Sequence, residues 1–441
     1  MRRGAAPAED GTSEHAGVLV LAPDDQLPEH RFGRSPTSAL PPGSSGAAHW
    51  LDARLPLLSM FRREYVSYPM PANLNGLWNF GAFLTITLAL LLLSGILLAT
   101  NYTATVAQAF DSVERIDRQV PEGWLVRGIH MGGVTMFFVA MYVHTWRSLY
   151  YGSFKAPREV LWLTGTVLLV LAMAAAFAGY VLPWGQMSFW GLTVASHAAG
   201  SIPVIGRPLA AWLLGGMVPG DAALHRIYVL HFVCAFAVVG VVLLHVVALH
   251  VTGSNNPLGV EPAGPSETVP FHPYYTAKDG LGVALFALAY AVLVFFLPGW
   301  LTLPDNYLPA DPLSTPPDIT PEWYFAPYYA ILRAGGPFGL VLASGSVALL
   351  FALPWLDRSP VRSARFRPVF RPLLVLFAAC FVLLAFAGFH PPSGIWLLLS
   401  RIATAYWFGF FLVALPLLSR FEPRRVPPHA LRGATGRPSA A

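Results

Sequence analysis

The stretches VRGIHMGGVTMFFVAMYVHTW (126–146) and HRIYVLHFVCAFAVVGVVLLHVVALH (225–250) decide how this chain folds. Each sets two histidines fourteen residues apart in an apolar run, His130 with His144 and His231 with His245. Fourteen residues of α-helix make about 3.9 turns, so both members of a pair face one side, roughly 21 Å apart along the axis. Imidazole inside a membrane helix is costly and usually functional, and it is a common axial ligand of haem iron. One histidine in an apolar helix is more often hydrogen-bonded core than ligand; two pairs at one spacing are harder to explain that way. Two helices so equipped can hold two haems, one stacked above the other.

Glycine repeats the period. Gly81 and Gly95 lie fourteen apart in WNFGAFLTITLALLLLSGILL, as do Gly165 and Gly179 in LTGTVLLVLAMAAAFAGYVLP. Glycine lets a backbone approach a bulky partner, although it also serves ordinary helix–helix packing. Four helices sharing the period predict a four-helix bundle around two flat rings.

The rest of the chain frames that bundle. With 55% hydrophobic and only 12% charged residues among 441, it reads as an all-α integral membrane protein. Eight segments are long enough to span a bilayer, near 78–101, 127–149, 159–181, 226–249, 279–298, 337–356, 372–390 and 395–418. The expected division is an unstructured extension over 1–50, the dihaem bundle over 51–260, a C-terminal membrane domain over 261–420, and a tail over 421–441. Residues 51–75, with Arg62 and Arg63, are expected along the membrane surface. The net charge of +5 does not imply nucleic acid, because basic residues cluster beside spans. Arg147, Lys155 and Arg158, the arginines between 358 and 371, and the tail arginines fall on one side, with both termini. Asp305, Asp311, Asp318 and Glu322 fall on the other, so the termini are placed in the cytoplasm. Cys234 and Cys380 sit in separate apolar helices and supply neither an iron–sulfur site nor a disulfide framework.

Direction tests the haem reading. The second and fourth spans run parallel, so His130 is level with His231 on the outer side and His144 with His245 on the inner. The first and third run oppositely, which brings Gly95 and Gly179 to the outer level and Gly81 and Gly165 to the inner. Arg127 and Arg226 precede the outer pair, while Arg147 and Ser153 follow the inner one, as haem propionates require. An interfacial anchor explains Arg147 and Ser153 equally well.

With GYVLPWGQMSFWG (179–191), HVTGSNNPLG (250–259), FHPYYTAKD (271–279) and PEWYFAPYYAILR (321–333), the chain resembles the cytochrome b subunit of the bacterial cytochrome bc1 complex, respiratory complex III, over about residues 60–420. The resemblance implies eight transmembrane helices, the first four holding two non-covalent b haems. It implies an inner-membrane oxidoreductase subunit that oxidises ubiquinol at an outer site and reduces ubiquinone at an inner one. Electrons pass between the haems in a proton-translocating Q cycle. The implied partners are a Rieske iron–sulfur protein and cytochrome c1, in a complex that is a homodimer. Tyr180 and Gly191 would line the outer site, with Glu322 and Tyr329. Read alone, Glu322 is a loop acid among aromatics, a setting that raises a carboxyl pKa and suits proton transfer. His250, Ser254, Lys278 and Asp279 would mark the inner site, with Trp78 and Asn79 nearby; as plain residues they are equally explicable as caps and anchors. Pro327 is expected to alter the helix between Glu322 and Tyr329, and His197, His225, His272 and His390 to be structural. Two rival classes are a haem-bearing dehydrogenase anchor, which has no need of PEWY, and a proton-coupled transporter, which leaves the glycine period unexplained.

Overall fold

The computed structural model describes residues 46–423, 425 and 427. The expected unstructured extension falls outside these up to residue 45, and nearly all of the tail does too. Helix α1 (Gly46–Asp52) already occupies the last residues of that extension, so the unstructured stretch expected up to residue 50 is too long at its end. Residues up to Arg63 form a unit of their own. In it the Asp52 carboxylate accepts from the backbone N–H groups of Leu58 and Ser59, at 2.9 and 3.0 Å, at the start of α2 (Leu57–Phe61).

The main body is built from helices α3 (Phe80–Ala99), α4 (Ala109–Gln119), α5 (Gly123–Tyr151), α6 (Glu159–Val181), α7 (Gln186–Gly200), α8 (Gly206–Leu214) and α9 (Asp221–Thr252). Then come α10 (Thr276–Phe296), α11 (Ala326–Ala334), α12 (Gly339–Leu356), α13 (Phe370–Ala387), α14 (Gly394–Gly409) and α15 (Leu415–Phe421). Among the described residues, eight helical stretches are long and apolar enough to cross a membrane, including Gly123–Tyr151 and Asp221–Thr252. The expected count of spans is borne out. The fourth and fifth begin at Asp221 and Phe271 rather than at 226 and 279, because polar residues continue a helix beyond its apolar window. Asp221 suits the first turn of α9, where the helix dipole favours negative charge.

Helix α3 packs along α5, and α6 along α9, while α10 lies against α3 and α5. Helices α11 to α14 pack on one another around Phe377, Trp407, Phe410 and Phe411, and α12 reaches α6. The helix expected between Glu322 and Tyr329 is α11, a separate short helix that begins only at Ala326. Pro327 falls in its first turn, where a missing N–H costs nothing, so it starts the helix instead of disturbing one.

Both ends of the bundle are tied to the C-terminal half. At the end nearer His144, strands β1 (Pro69–Pro71) and β2 (Thr268–Pro270) pair antiparallel with Met70 opposite Val269. A buried ionic chain there joins the α5–α6 connection, the α12–α13 connection and the residue that follows α15. Lys155 lies 2.9 Å from Asp357, Arg367 lies 2.6 Å from Asp357, and Arg367 lies 3.0 Å from Glu422. Burial lowers the Lys155 ammonium to about 8. Burial pushes Asp357 the other way, but the Lys155 and Arg367 charges outweigh it and hold the carboxyl below its usual range. At the end nearer His130, Gly185 bridges to Pro309, and the Asn306 side chain accepts from the Ser188 N–H at 2.9 Å. A Cβ on Gly185 would come within 2.3 Å of the Asn306 carbonyl, so only glycine permits this contact.

Candidate paired-histidine site

Helices α5 and α9 bring their histidines together level by level. The His130 and His231 rings are 6.2 Å apart between centroids and tilted by 74°; His144 and His245 are 6.4 Å apart and tilted by 60°. Roughly 6 Å is the centroid separation of two imidazoles that share one metal held at about 2 Å from each ring nitrogen.

Hydrogen bonds decide which nitrogen is available. His231 Nδ1 lies 2.8 Å from the Ala175 carbonyl, which can only accept, so Nδ1 carries the proton. Ser94 donates its own hydroxyl proton to the Leu90 carbonyl at 2.6 Å and therefore accepts from His130 Nδ1 at 3.0 Å. Thr164 donates to Val160 at 3.0 Å and accepts from His245 Nδ1 at 3.0 Å. In all three rings Nε2 keeps its lone pair, the state a metal ligand needs. Sequence reading missed Ser94, Thr164 and the Ala175 carbonyl. Each hydroxyl directly precedes a glycine of the period, Ser94 before Gly95 and Thr164 before Gly165, and that shared place is the signal that could have found them.

The four glycines stand against the imidazoles. A Cβ on Gly179 would come within 2.7 Å of His231 Cε1, on Gly95 within 3.0 Å of His130, on Gly165 within 3.2 Å of His245, and on Gly81 within 3.9 Å of His144. The clearance is first for the histidine ring itself, and it is graded.

These residues fit haem. Among the described residues no cluster of three or more His, Cys, Asp or Glu could hold a bare ion, and each level offers two nitrogens only. That donor set suits a metal arriving with its own equatorial ligands. A cavity of ≈ 240 Å³ opens between α3, α5, α6 and α9, lined by Gly95, His130, Gly179 and His231. At the other level His144 Nδ1, Arg147 Nε and Trp78 Nε1 are buried without a hydrogen-bond partner, as expected where a polar group docks. The Arg147 guanidinium lies 4.9 Å over the Trp78 ring. Arg127 lines the cavity but is paired with Asp117 of α4, and Arg226 is bonded to the Trp212 carbonyl; neither partner was foreseen.

The same cavity reaches the 321–324 segment, with Tyr180, Glu322 and Tyr324 in its wall. Burial lifts the Glu322 carboxyl to about 7, although Thr302 donates to it at 3.2 Å. The Tyr180 hydroxyl is buried without a partner, and Gly191 sits beside its ring, where an added Cβ would be 3.7 Å away. Tyr324 stacks on Phe138 at 4.3 Å. Tyr329 is not in that wall: its hydroxyl donates to the Ile319 carbonyl at 2.9 Å and Arg333 covers its ring at 4.4 Å. Tyr324, on the same short segment, stands where Tyr329 was expected.

At the other end, Ser153 accepts from Asn255 at 3.1 Å and Ser254 donates to the Asn255 carbonyl at 2.9 Å. Lys278 donates to Leu74 at 2.6 Å, and Asn79 donates to the Lys278 carbonyl at 3.2 Å. Asp279 is in the first turn of α10, and His250, in the last turn of α9, bonds to Glu64 at 2.6 Å. His225 and His390 bond to carbonyls four residues earlier, and His272 to Thr276.

The fold and site together define a class: a multi-pass helical membrane protein whose second and fourth long spans face histidines to one another at two levels. Residues 65–253 match the family Cytochrome b/b6/petB, and residues 309–408 match Cytochrome b(C-terminal)/b6/petD. Cytochrome b of Rhodospirillum rubrum is 50% identical over 390 residues, 88% of this chain and 96% of that protein. Cytochrome b/c1 of Bradyrhizobium diazoefficiens is 48% identical over 87% of this chain and 56% of its own length. A chain of a hyperthermophilic respiratory complex III superposes with a TM-score of 0.80 at 34% identity, covering 84% of this chain and 98% of that one. The chain belongs to the cytochrome b family, as a bacterial cytochrome b of the bc1, complex III type. Haem binding and membrane electron transport come with that family, and the resemblance seen in its motifs is borne out.

Proposed function

We propose that this chain oxidises quinol at one face and reduces quinone at the other, with electrons crossing the bundle between two b haems in a Q cycle. The observation that carries the reading is the two facing imidazole pairs with Nδ1 engaged in three of the four rings. His130 and His231 would hold one iron and His144 and His245 the other, with Arg147 and Ser153 near one set of propionates and Arg127 near the other. Haem, when bound, supplies a reversible one-electron carrier at each level.

The protein's own groups manage protons and position substrate. Glu322, lifted to about 7 by burial, exchanges a proton near neutral pH in the cavity wall that His130 and His231 share. Tyr180 offers an unpartnered hydroxyl to the same space, and Tyr324 a fixed aromatic edge. At the inner end His250, Ser254, Lys278 and Asp279 would bind quinone, His250 and Asp279 supplying protons. The positive-inside pattern of Lys155, Arg158 and the arginines at 358–371 supports cytoplasmic termini in a bacterial inner membrane.

The second electron of each quinol requires an acceptor outside this chain. A Rieske-type iron–sulfur protein suits that role, with cytochrome c1 beyond it; a relative that carries the name Cytochrome b/c1 supports the second partner. Ubiquinone as the substrate and a homodimeric complex complete the proposal. A pyridine haemochrome assay tests it: two haems per chain are expected, one after His231→Ala, and a count of one or none in the wild type overturns it.

A further inference from the structure

The inner end holds a contact that neither the motifs nor the proposed function uses. Glu64 Oε2 lies 2.6 Å from His250 Nδ1, and the two side chains are 19% and 16% exposed. At that burial the pair is shielded from the solvent screening that weakens surface ion pairs. A carboxylate accepts only, so Nδ1 carries a proton and Nε2 is the ring nitrogen left for a ligand. Tyr68 stacks on the ring at 4.5 Å and 26°, and Tyr65 packs against it at 5.7 Å. The ring is thus held on a face and at one edge. His250 also stands in the last turn of α9, where the negative end of the helix dipole favours a cation. Three features, the Glu64 charge, the helix terminus and the aromatic face, all turn negative potential toward the ring.

We propose that Glu64 is a positioning residue for His250 at the quinone-reducing site. It would fix the ring with Nε2 available to a quinone oxygen and stabilise the imidazolium from which that oxygen takes a proton. This rests on the reading of His250 as part of that site. In the step, the Nε2–H bond breaks and an O–H bond forms on the quinone as it receives the electrons of the proposed reaction. The imidazolium becomes neutral imidazole, still held at Nδ1 by Glu64, and is reprotonated from water on that face. A carboxylate at this place is separated from His250 by 186 residues, so no local pattern points to it.

The test uses the whole purified complex, with reoxidation by a soluble ubiquinone analogue followed by stopped flow and quinol oxidation at the other face as internal control. Glu64→Gln keeps the shape and a hydrogen-bond acceptor but removes the charge. It should slow reoxidation about tenfold at saturating quinone, with little change in KM and none in quinol oxidation. Because Glu64 acts through His250, the double variant Glu64→Gln/His250→Gln should be no slower than His250→Gln alone. Glu64→Asp should recover part of the rate. A wild-type rate in Glu64→Gln, or effects that multiply in the double variant, overturns the proposal. So does failure of both Glu64 variants to assemble, which would make the contact a structural anchor. A wild-type rate in His250→Gln overturns instead the reading beneath it, that His250 belongs to the quinone site.

Discussion

Two residue types concentrate the chemistry, and both act through what surrounds them. Glu322 holds its proton up to about pH 7 in the folded chain, against about 4.5 for an unperturbed carboxyl, because burial disfavours the charge. Between those values the native state binds more protons than the unfolded one, so this group's contribution to stability falls as pH rises across the window. For catalysis the direction reverses: only the ionised form accepts a proton. Quinol oxidation should therefore lose rate as pH falls through about 7, and Glu322→Gln should lower the rate and flatten that limb with haem content unchanged. The glycines give a graded expectation. Gly179→Ala would place a methyl 2.7 Å from His231 Cε1, whereas Gly81→Ala would meet His144 at 3.9 Å, an ordinary contact. Overpacking of this kind costs about 1–3 kcal/mol. Gly179→Ala should reduce haem content, and Gly81→Ala should leave it near wild type. Equal haem in both would show that the shared period has nothing to do with the imidazoles.

Among elements, the connection between α5 and α6 matters as much as the helices it joins. Lys155, Asp357, Arg367 and Glu422 form a chain of alternating charge, at 7% exposure for Lys155 and 0% for Asp357 and Arg367. Glu422 also accepts from the backbone N–H groups of Val369 and Phe370, at 2.8 and 2.7 Å, and so caps the start of α13. Removing one member leaves its partner charged and buried, which costs about 3–5 kcal/mol. Asp357→Asn leaves Lys155 without its carboxylate and Arg367 with Glu422 alone. A lower thermal transition of the detergent-solubilised complex is expected, with the visible spectrum below the transition unchanged. An unaltered transition would mean that water reaches the cluster and that the two halves are held by apolar packing alone.

For the whole molecule, function depends on two ends that do different work. The end nearer His130 shares its cavity with Glu322 and Tyr180; the end nearer His144 carries Lys278, Asp279 and His250. Asp279→Asn should slow reoxidation by quinone and leave the first electron transfer from quinol intact, the opposite of Glu322→Gln. Pre-steady-state haem reduction with an inhibitor specific to each side separates the two defects. Slowing of the same phase by both would collapse the assignment of two sites to two faces.

The eight spans and the family were legible in the residues alone, because a bilayer demands long apolar helices and a period of fourteen keeps one helix face. The paired levels of His130 with His231 and His144 with His245 could also be drawn from chain direction. What lay beyond reach were contacts between distant segments. Asp117 beside Arg127, Ser94 and Thr164 under the ring nitrogens, and Glu64 on His250 each come from an element other than the one they serve. The PEWY segment shows the same limit. The resemblance made Tyr329 a candidate beside Glu322, but the α11 turn carries Tyr329 to Ile319 and leaves Tyr324 in the cavity wall. Periodicity records which face of a helix a residue takes; only packing determines what that face meets.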